Sequence, residues 1–191
     1  MAKESKREQI LNALDRLLPG RRFHEITLDE VAHEAQVGKG TIYLYFHDKD
    51  ALFAELICYR MERLQTALQK LENCSSAELP DRVLALVDEF IREHRTGFGA
   101  VGDLAAHVAR LSPEQHEQLK QHGCNLVDTL TAVMHKAEPA RDAAEVRSYA
   151  QILLWLIDGY SRARSGLAGM EVFPEAEFLT AFFRRGAMIE D

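Results

Sequence analysis

At 191 residues, 47% of them hydrophobic and 28% charged, the chain can bury a substantial core in one or two soluble domains. Its formal net charge of −7 excludes a protein that coats nucleic acid by bulk charge. Three widely spaced cysteines, Cys58, Cys74 and Cys124, form no C-x-x-C pair, so no zinc or disulfide framework is expected. The acidity is uneven. Residues 1–60 hold nine Lys and Arg against ten Asp and Glu, and residues 61–191 hold fourteen against twenty. Any contact with a polyanion at the N-terminal end must therefore come from a local patch, for which Lys3, Lys6, Arg7, Lys39 and Lys49 are the candidates.

Long runs with a period of 3.6 and no sustained alternation predict an all-α protein of about nine helices. The first spans about Ser5 to Leu18, with Ile10, Leu11, Leu14, Leu17 and Leu18 on its buried face and Pro19-Gly20 as its stop. Phe23 should pack back on the small core that follows. Thr27-Leu28-Asp29-Glu30 is a capping box, and Ile26 with Val31 makes a hydrophobic staple. Val37-Gly38 breaks the second helix, and glycine there suits a tight or left-handed turn. Lys39 to Tyr45 makes a short third helix, with Ile42 and Phe46 inward and Lys39, Thr41, Tyr43 and Tyr45 outward. Lys39 and Lys49 each open a helix, where a cation opposes the dipole. The placement makes sense if a phosphate lies there.

The fourth helix should run without a breaker from Asp48 to about Cys74. A fifth should occupy about Asp81 to His94, and a short one Asp103 to Arg110, after the glycine-rich Thr96–Gly102. Ser112-Pro113-Glu114-Gln115 opens another long helix, ending near Lys136. Helix Asp142–Ser165 contains six consecutive apolar residues, Ile152 to Ile157, which predict burial on all sides and hence a partner subunit. Pro174 opens a last helix with Phe178, Leu179, Phe182 and Phe183 on one face.

In a helix-turn-helix the second helix of the motif enters the major groove. Thr41, Tyr43 and Tyr45 could bond phosphates or pack on bases and sugars, and Lys39 could bond a guanine edge. Thr27 and Lys49 would hold backbone phosphates. The sequence from Arg7-Glu8-Gln9-Ile10-Leu11 through Phe23, Thr27, Val31-Ala32, Ala35, Val37, Gly40-Thr41-Ile42-Tyr43, Tyr45-Phe46, Lys49 and Leu52-Phe53 resembles the DNA-binding segment of TetR-type transcriptional regulators. The resemblance covers about the first third of the chain. It implies DNA contacts from Thr27, Lys39, Gly40, Thr41, Tyr43, Tyr45 and Lys49. Gly38 stands where a serine cap is usual and Leu44 where an exposed aromatic is frequent, departures that bear on base preference.

The resemblance implies a helix-turn-helix DNA-binding domain over 1–48 and a helical effector-binding and dimerisation domain over 49–191. The expected protein is a ligand-responsive repressor that binds a palindromic DNA operator as a homodimer joined by its last two helices. Its effector is an unidentified small molecule, and Phe90, His94, Phe98, Leu104, His107, Leu126, Leu130, Trp155 and Tyr160 are the candidate pocket wall. A helical adaptor or a small helical enzyme without DNA binding is the alternative. No catalytic motif, cofactor signature or metal-ligand spacing is present, so no enzyme is expected. His116 and His122 are six apart and do not share a helix face. The polar N-terminus and the lack of an apolar run of membrane-spanning length predict a cytoplasmic protein with no membrane partner.

Overall fold

The computed structural model describes residues 5–93, apart from 20, 22 and 76, and residues 109–166. Seven α-helices and no strands are found among them: α1 (Lys6–Leu17), α2 (Leu28–Glu34), α3 (Lys39–Tyr45), α4 (Lys49–Gln69), α5 (Leu79–Glu93), α6 (Pro113–Ala137) and α7 (Ala143–Gly166). The expected helices at 103–110 and from Pro174 onward lie outside the described residues, apart from a turn at 109 and 110. No described helix is long and apolar enough to cross a membrane.

Capping chemistry sets where the helices begin. Ser5 with Glu8, Thr27 with Glu30 and Ser112 with Gln115 each form a complete capping box, and Pro113 follows the last at the first helical position. Asp48 caps α4 by accepting from the Ala51 amide at 2.7 Å. The end of α4 tightens into a 3₁₀ turn over Lys70–Asn73, which completes the run expected to reach Cys74.

Two buried clusters share α4. The head cluster joins Ile10, Leu11 and Leu14 of α1 to Val31, Ile42 and Phe46, and then to Leu52, Phe53, Leu56 and Ile57 of α4. Phe23 lies in it, stacked on Phe53 with ring centroids 4.3 Å apart. The body cluster begins on the same helix with Leu64 and Leu68. It continues through Val83 and Leu84, Leu126, Leu130, Val133 and Met134, to Val146, Ala150 and Leu153. Met61 packs against both clusters, and Leu119 of α6 leans on the head. The head's core thus runs about two turns past residue 48.

Polar bonds tie α1 to the rest of the head. Arg60 of α4 is 3% exposed, and its Nε donates to Asp15 Oδ1 at 2.8 Å. Burial pulls the Arg60 guanidinium below its ordinary pKa, and the charge and hydrogen bond of Asp15 oppose that shift. Arg7 pairs with Glu55, and Arg16 with Glu34 at 2.6 Å.

The apolar run in α7 is only partly buried within the chain. Leu153 is fully buried, but Ile152 is 44% and Trp155 73% exposed. The described helices thus cover the Leu153 side of this run and leave Ile152 and Trp155 open.

Candidate nucleic-acid interface

Helices α2 and α3 meet through a Schellman motif. The Val37 amide donates to the Ala32 carbonyl at 2.9 Å and the Gln36 amide to the His33 carbonyl at 3.0 Å. The residue that turns left-handed is Gln36, with φ 53°, and not the expected Gly38. Gly38 is extended, with φ −72° and ψ 146°, and is the N-cap of α3 without a side-chain cap bond. Helix α1 braces this turn, because Gln9 Nε2 donates to the Ala35 carbonyl at 2.7 Å.

Ile42 and Phe46 anchor α3, at 1% and 2% exposure. The opposite side is open: Tyr43 is 52%, Leu44 82% and Tyr45 48% exposed, with Thr41 half-buried beside them. A Cβ at Gly40 would meet nothing within 4 Å, and one at Gly38 only Thr41 Oγ1 at 3.8 Å. Neither glycine is required by backbone angle or by space within the chain.

Two cationic groups flank this helix. Lys39 opens it, and its Nζ lies 2.8 Å from Asp29 Oδ2 of α2. That hydrogen bond, and then the carboxylate's charge, raise the Lys39 pKa. After it in the chain, Lys49 opens α4, lies 4.5 Å over the Phe23 ring, and donates to the His24 carbonyl at 3.2 Å. Partial burial lowers the Lys49 pKa, opposed by the charges of Asp50 and Glu30 and assisted by Arg21. Arg21 itself pairs with Glu30 at 2.9 Å, and Glu30 closes the box with Thr27. Hydrogen bonds from Arg21 and from the Thr27 amide and hydroxyl bring the Glu30 carboxyl from 4.5 down to about 2. The structure therefore joins Arg21, Glu30 and Thr27 by hydrogen bonds, brings Lys49 within reach of the charges of Glu30 and Arg21, and pairs Lys39 with Asp29. Arg21 and Asp29 were not singled out from the sequence. A basic residue just ahead of a capping box was the available signal for Arg21. Asp29 has none, because its partner is ten residues away across a turn.

Of the nine candidate effector residues, the side chains of three are described. Leu126 and Leu130 lie within the packed body cluster. Trp155 is 73% exposed. The backbones of Phe90 and Tyr160 belong to α5 and α7, but their side chains, and His94, Phe98, Leu104 and His107 entirely, lie outside the described residues. Burial pushes the Cys58 thiol up to about 11, away from thiolate chemistry. Among the described residues no group of three His, Cys, Asp or Glu side chains is placed to hold a metal.

A three-helix head with a braced turn, an anchored short helix and an open outer face defines the helix-turn-helix class. Residues 10–56 match the family described as bacterial regulatory proteins, tetR family. An uncharacterised helix-turn-helix transcriptional regulator of Haemophilus influenzae is 36% identical over 69 residues, 36% of this chain. Those residues span 37% of that relative's length. The regulator BetI of Serratia proteamaculans is 29% identical over 86% of this chain and 82% of its own. Among solved structures, a TetR transcriptional regulator of Legionella pneumophila superposes with a TM-score of 0.71 at 17% identity, covering 97% of this chain and 98% of that one. The regulator FadR of Bacillus subtilis, in complex with stearoyl-CoA, superposes at 0.60 with 18% identity, over 95% and 98%. Residues 10–56 are thus similar to the N-terminal segment of the tetR family, and the chain has the fold of these solved regulators.

Proposed function

We propose that the chain is a ligand-responsive transcriptional regulator, acting as a repressor, whose paired heads read a palindromic operator in successive major grooves. The observation that carries this reading is the open side of α3. Tyr43, Leu44 and Tyr45 are large side chains left in water on a helix whose inner face is fully anchored. Such a row is costly unless something covers it, and the flanking Lys39 and Lys49 favour a polyanion. Gly40, Thr41, Tyr43 and Tyr45 are assigned to the groove, with Thr27 and Lys49 on backbone phosphates and Lys39 on a base edge. In this reading residues 1–48 belong to the DNA-binding unit together with the first turns of α4.

Two copies are joined through α7 and the segment beyond it. Ile152 and Trp155 are three residues apart and share one exposed face. A small-molecule effector binds among the helices of the body, and it can act only by its differential affinity for the two arrangements of α4. The stearoyl-CoA held by FadR makes a long apolar molecule with an anionic head a first ligand to try. The protein works in the cytoplasm and is not an enzyme.

The test is selection of duplexes from a random-sequence pool, followed by fluorescence anisotropy. Two-fold symmetric sites with half-sites about 34–36 Å apart are expected. Lys49→Ala should weaken binding to every duplex and flatten the dependence of log K on log salt by about 0.9 for each phosphate it no longer neutralises. A pool that yields no sequence above a scrambled duplex overturns the reading.

A further inference from the structure

We propose that Asp29 is a specificity-determining residue: its carboxylate keeps the Lys39 ammonium from settling on DNA phosphates and leaves it available to a guanine edge. This rests on the DNA-binding reading above. Asp29 lies in the first turn of α2 and Lys39 at the first position of α3, so their 2.8 Å ion pair bridges the two helices of the motif. Both side chains are accessible, Asp29 at 70% and Lys39 at 47%. Tyr43 lies one turn along the same helix from Lys39, and its side chain is half exposed. The pair therefore stands at the edge of the surface assigned to the groove.

The chemistry of the two competing DNA partners differs. A phosphate is an anion repeated at every step of every sequence. To bond it, Lys39 must bring the Asp29 carboxylate against a second negative charge or abandon it. Guanine offers two neutral acceptors, O6 and N7, on one edge. An ammonium has three donors, so Lys39 can bond both and still keep Asp29 as its third partner. The carboxylate thus penalises the sequence-independent contact and tolerates the sequence-dependent one, which is discrimination by an unfavourable element placed against the wrong partner. Because the pair carries no net charge, Lys39 adds little to the salt dependence of binding while Asp29 is present.

The experiment compares a duplex selected by the wild-type protein with a scrambled duplex of the same composition. Asp29→Asn keeps the shape of the side chain and removes its charge. On the scrambled duplex, the variant should bind several-fold more tightly, with a salt slope steeper by about 0.9 per head. On the selected duplex the gain should be smaller, so the ratio of the two affinities should fall by about two- to fivefold. In a Lys39→Ala background the same change should leave the ratio unmoved. Equal tightening on both duplexes, or an equal loss of discrimination without Lys39, overturns the proposal and leaves DNA binding intact. A wild-type protein that binds neither duplex overturns the underlying reading instead. An unchanged thermal midpoint for Asp29→Asn confirms that folding is not the cause.

Discussion

Gly40→Ala separates folding from DNA binding. Gly40 is the second residue of α3, and a Cβ built there meets nothing within 4 Å. A methyl group therefore adds no clash, and it removes the excess backbone freedom that glycine brings to a helix. Folded stability should rise by about 0.5–1 kcal/mol, the usual difference between glycine and alanine in a helix. For a chain of this size that is about 1–4 °C in thermal midpoint. The effect on DNA should have the opposite sign. If the first turn of α3 approaches the duplex closely enough to touch it, the added methyl occupies space the DNA needs. A loss of about 1.4 kcal/mol already means tenfold weaker binding. The two quantities are read independently, by circular-dichroism melting and by anisotropy titration on a selected duplex. A variant that melts higher and binds as tightly as wild type would refute the placement of this turn against DNA.

Three further outcomes follow from the geometry of the head. Gln36→Gly should stabilise the protein by roughly 1 kcal/mol, since Gln36 holds a left-handed φ of 53° that costs a side-chain-bearing residue about that much; a lower denaturation midpoint would show that the side chain holds the turn. Asp15→Ala leaves the Arg60 guanidinium buried without its carboxylate and should cost about 3–5 kcal/mol in urea unfolding, whereas Asp15→Ala with Arg60→Met should recover most of it. Failure of the double variant to recover would mean that the pair also specifies the packing of α1 on α4. Glu30 is held at about 2 from an ordinary 4.5, so the folded state favours its ionised form. That contribution is complete above pH 4.5 and is lost as the pH falls toward 2. Wild-type urea midpoints should fall more steeply over that window than those of Glu30→Gln, and parallel curves would refute the shift.

What could be read from the chain alone depended on how local the physics was. Capping boxes, Pro113 and the anchors Ile42 and Phe46 rest on contacts three or four residues apart, and they were legible. A glycine at 38 suits a tight or left-handed turn because it has no Cβ penalty, yet Gln36 bears the left-handed conformation under the Schellman bonds and the brace from Gln9. The Asp15–Arg60 and Asp29–Lys39 pairs join residues brought together only by folding, so no spacing rule finds them. The apolar run of α7 indicated a need for cover, but a composition pattern does not say which of Ile152, Leu153 and Trp155 the chain covers itself. The candidate effector wall asked the most of the sequence, because a pocket is a convergence of several helices.

The sharing of α4 has a mechanical meaning. Arg60 lies buried between the two clusters on that helix, about 16 Å of helical rise from Lys49 at 1.5 Å per residue. If Arg60 is the fulcrum, a tilt of about 5° swings the Lys49 end by about 1.4 Å over that arm. Two heads moving in opposite senses would change their separation by about twice as much, with each head keeping its own interior intact.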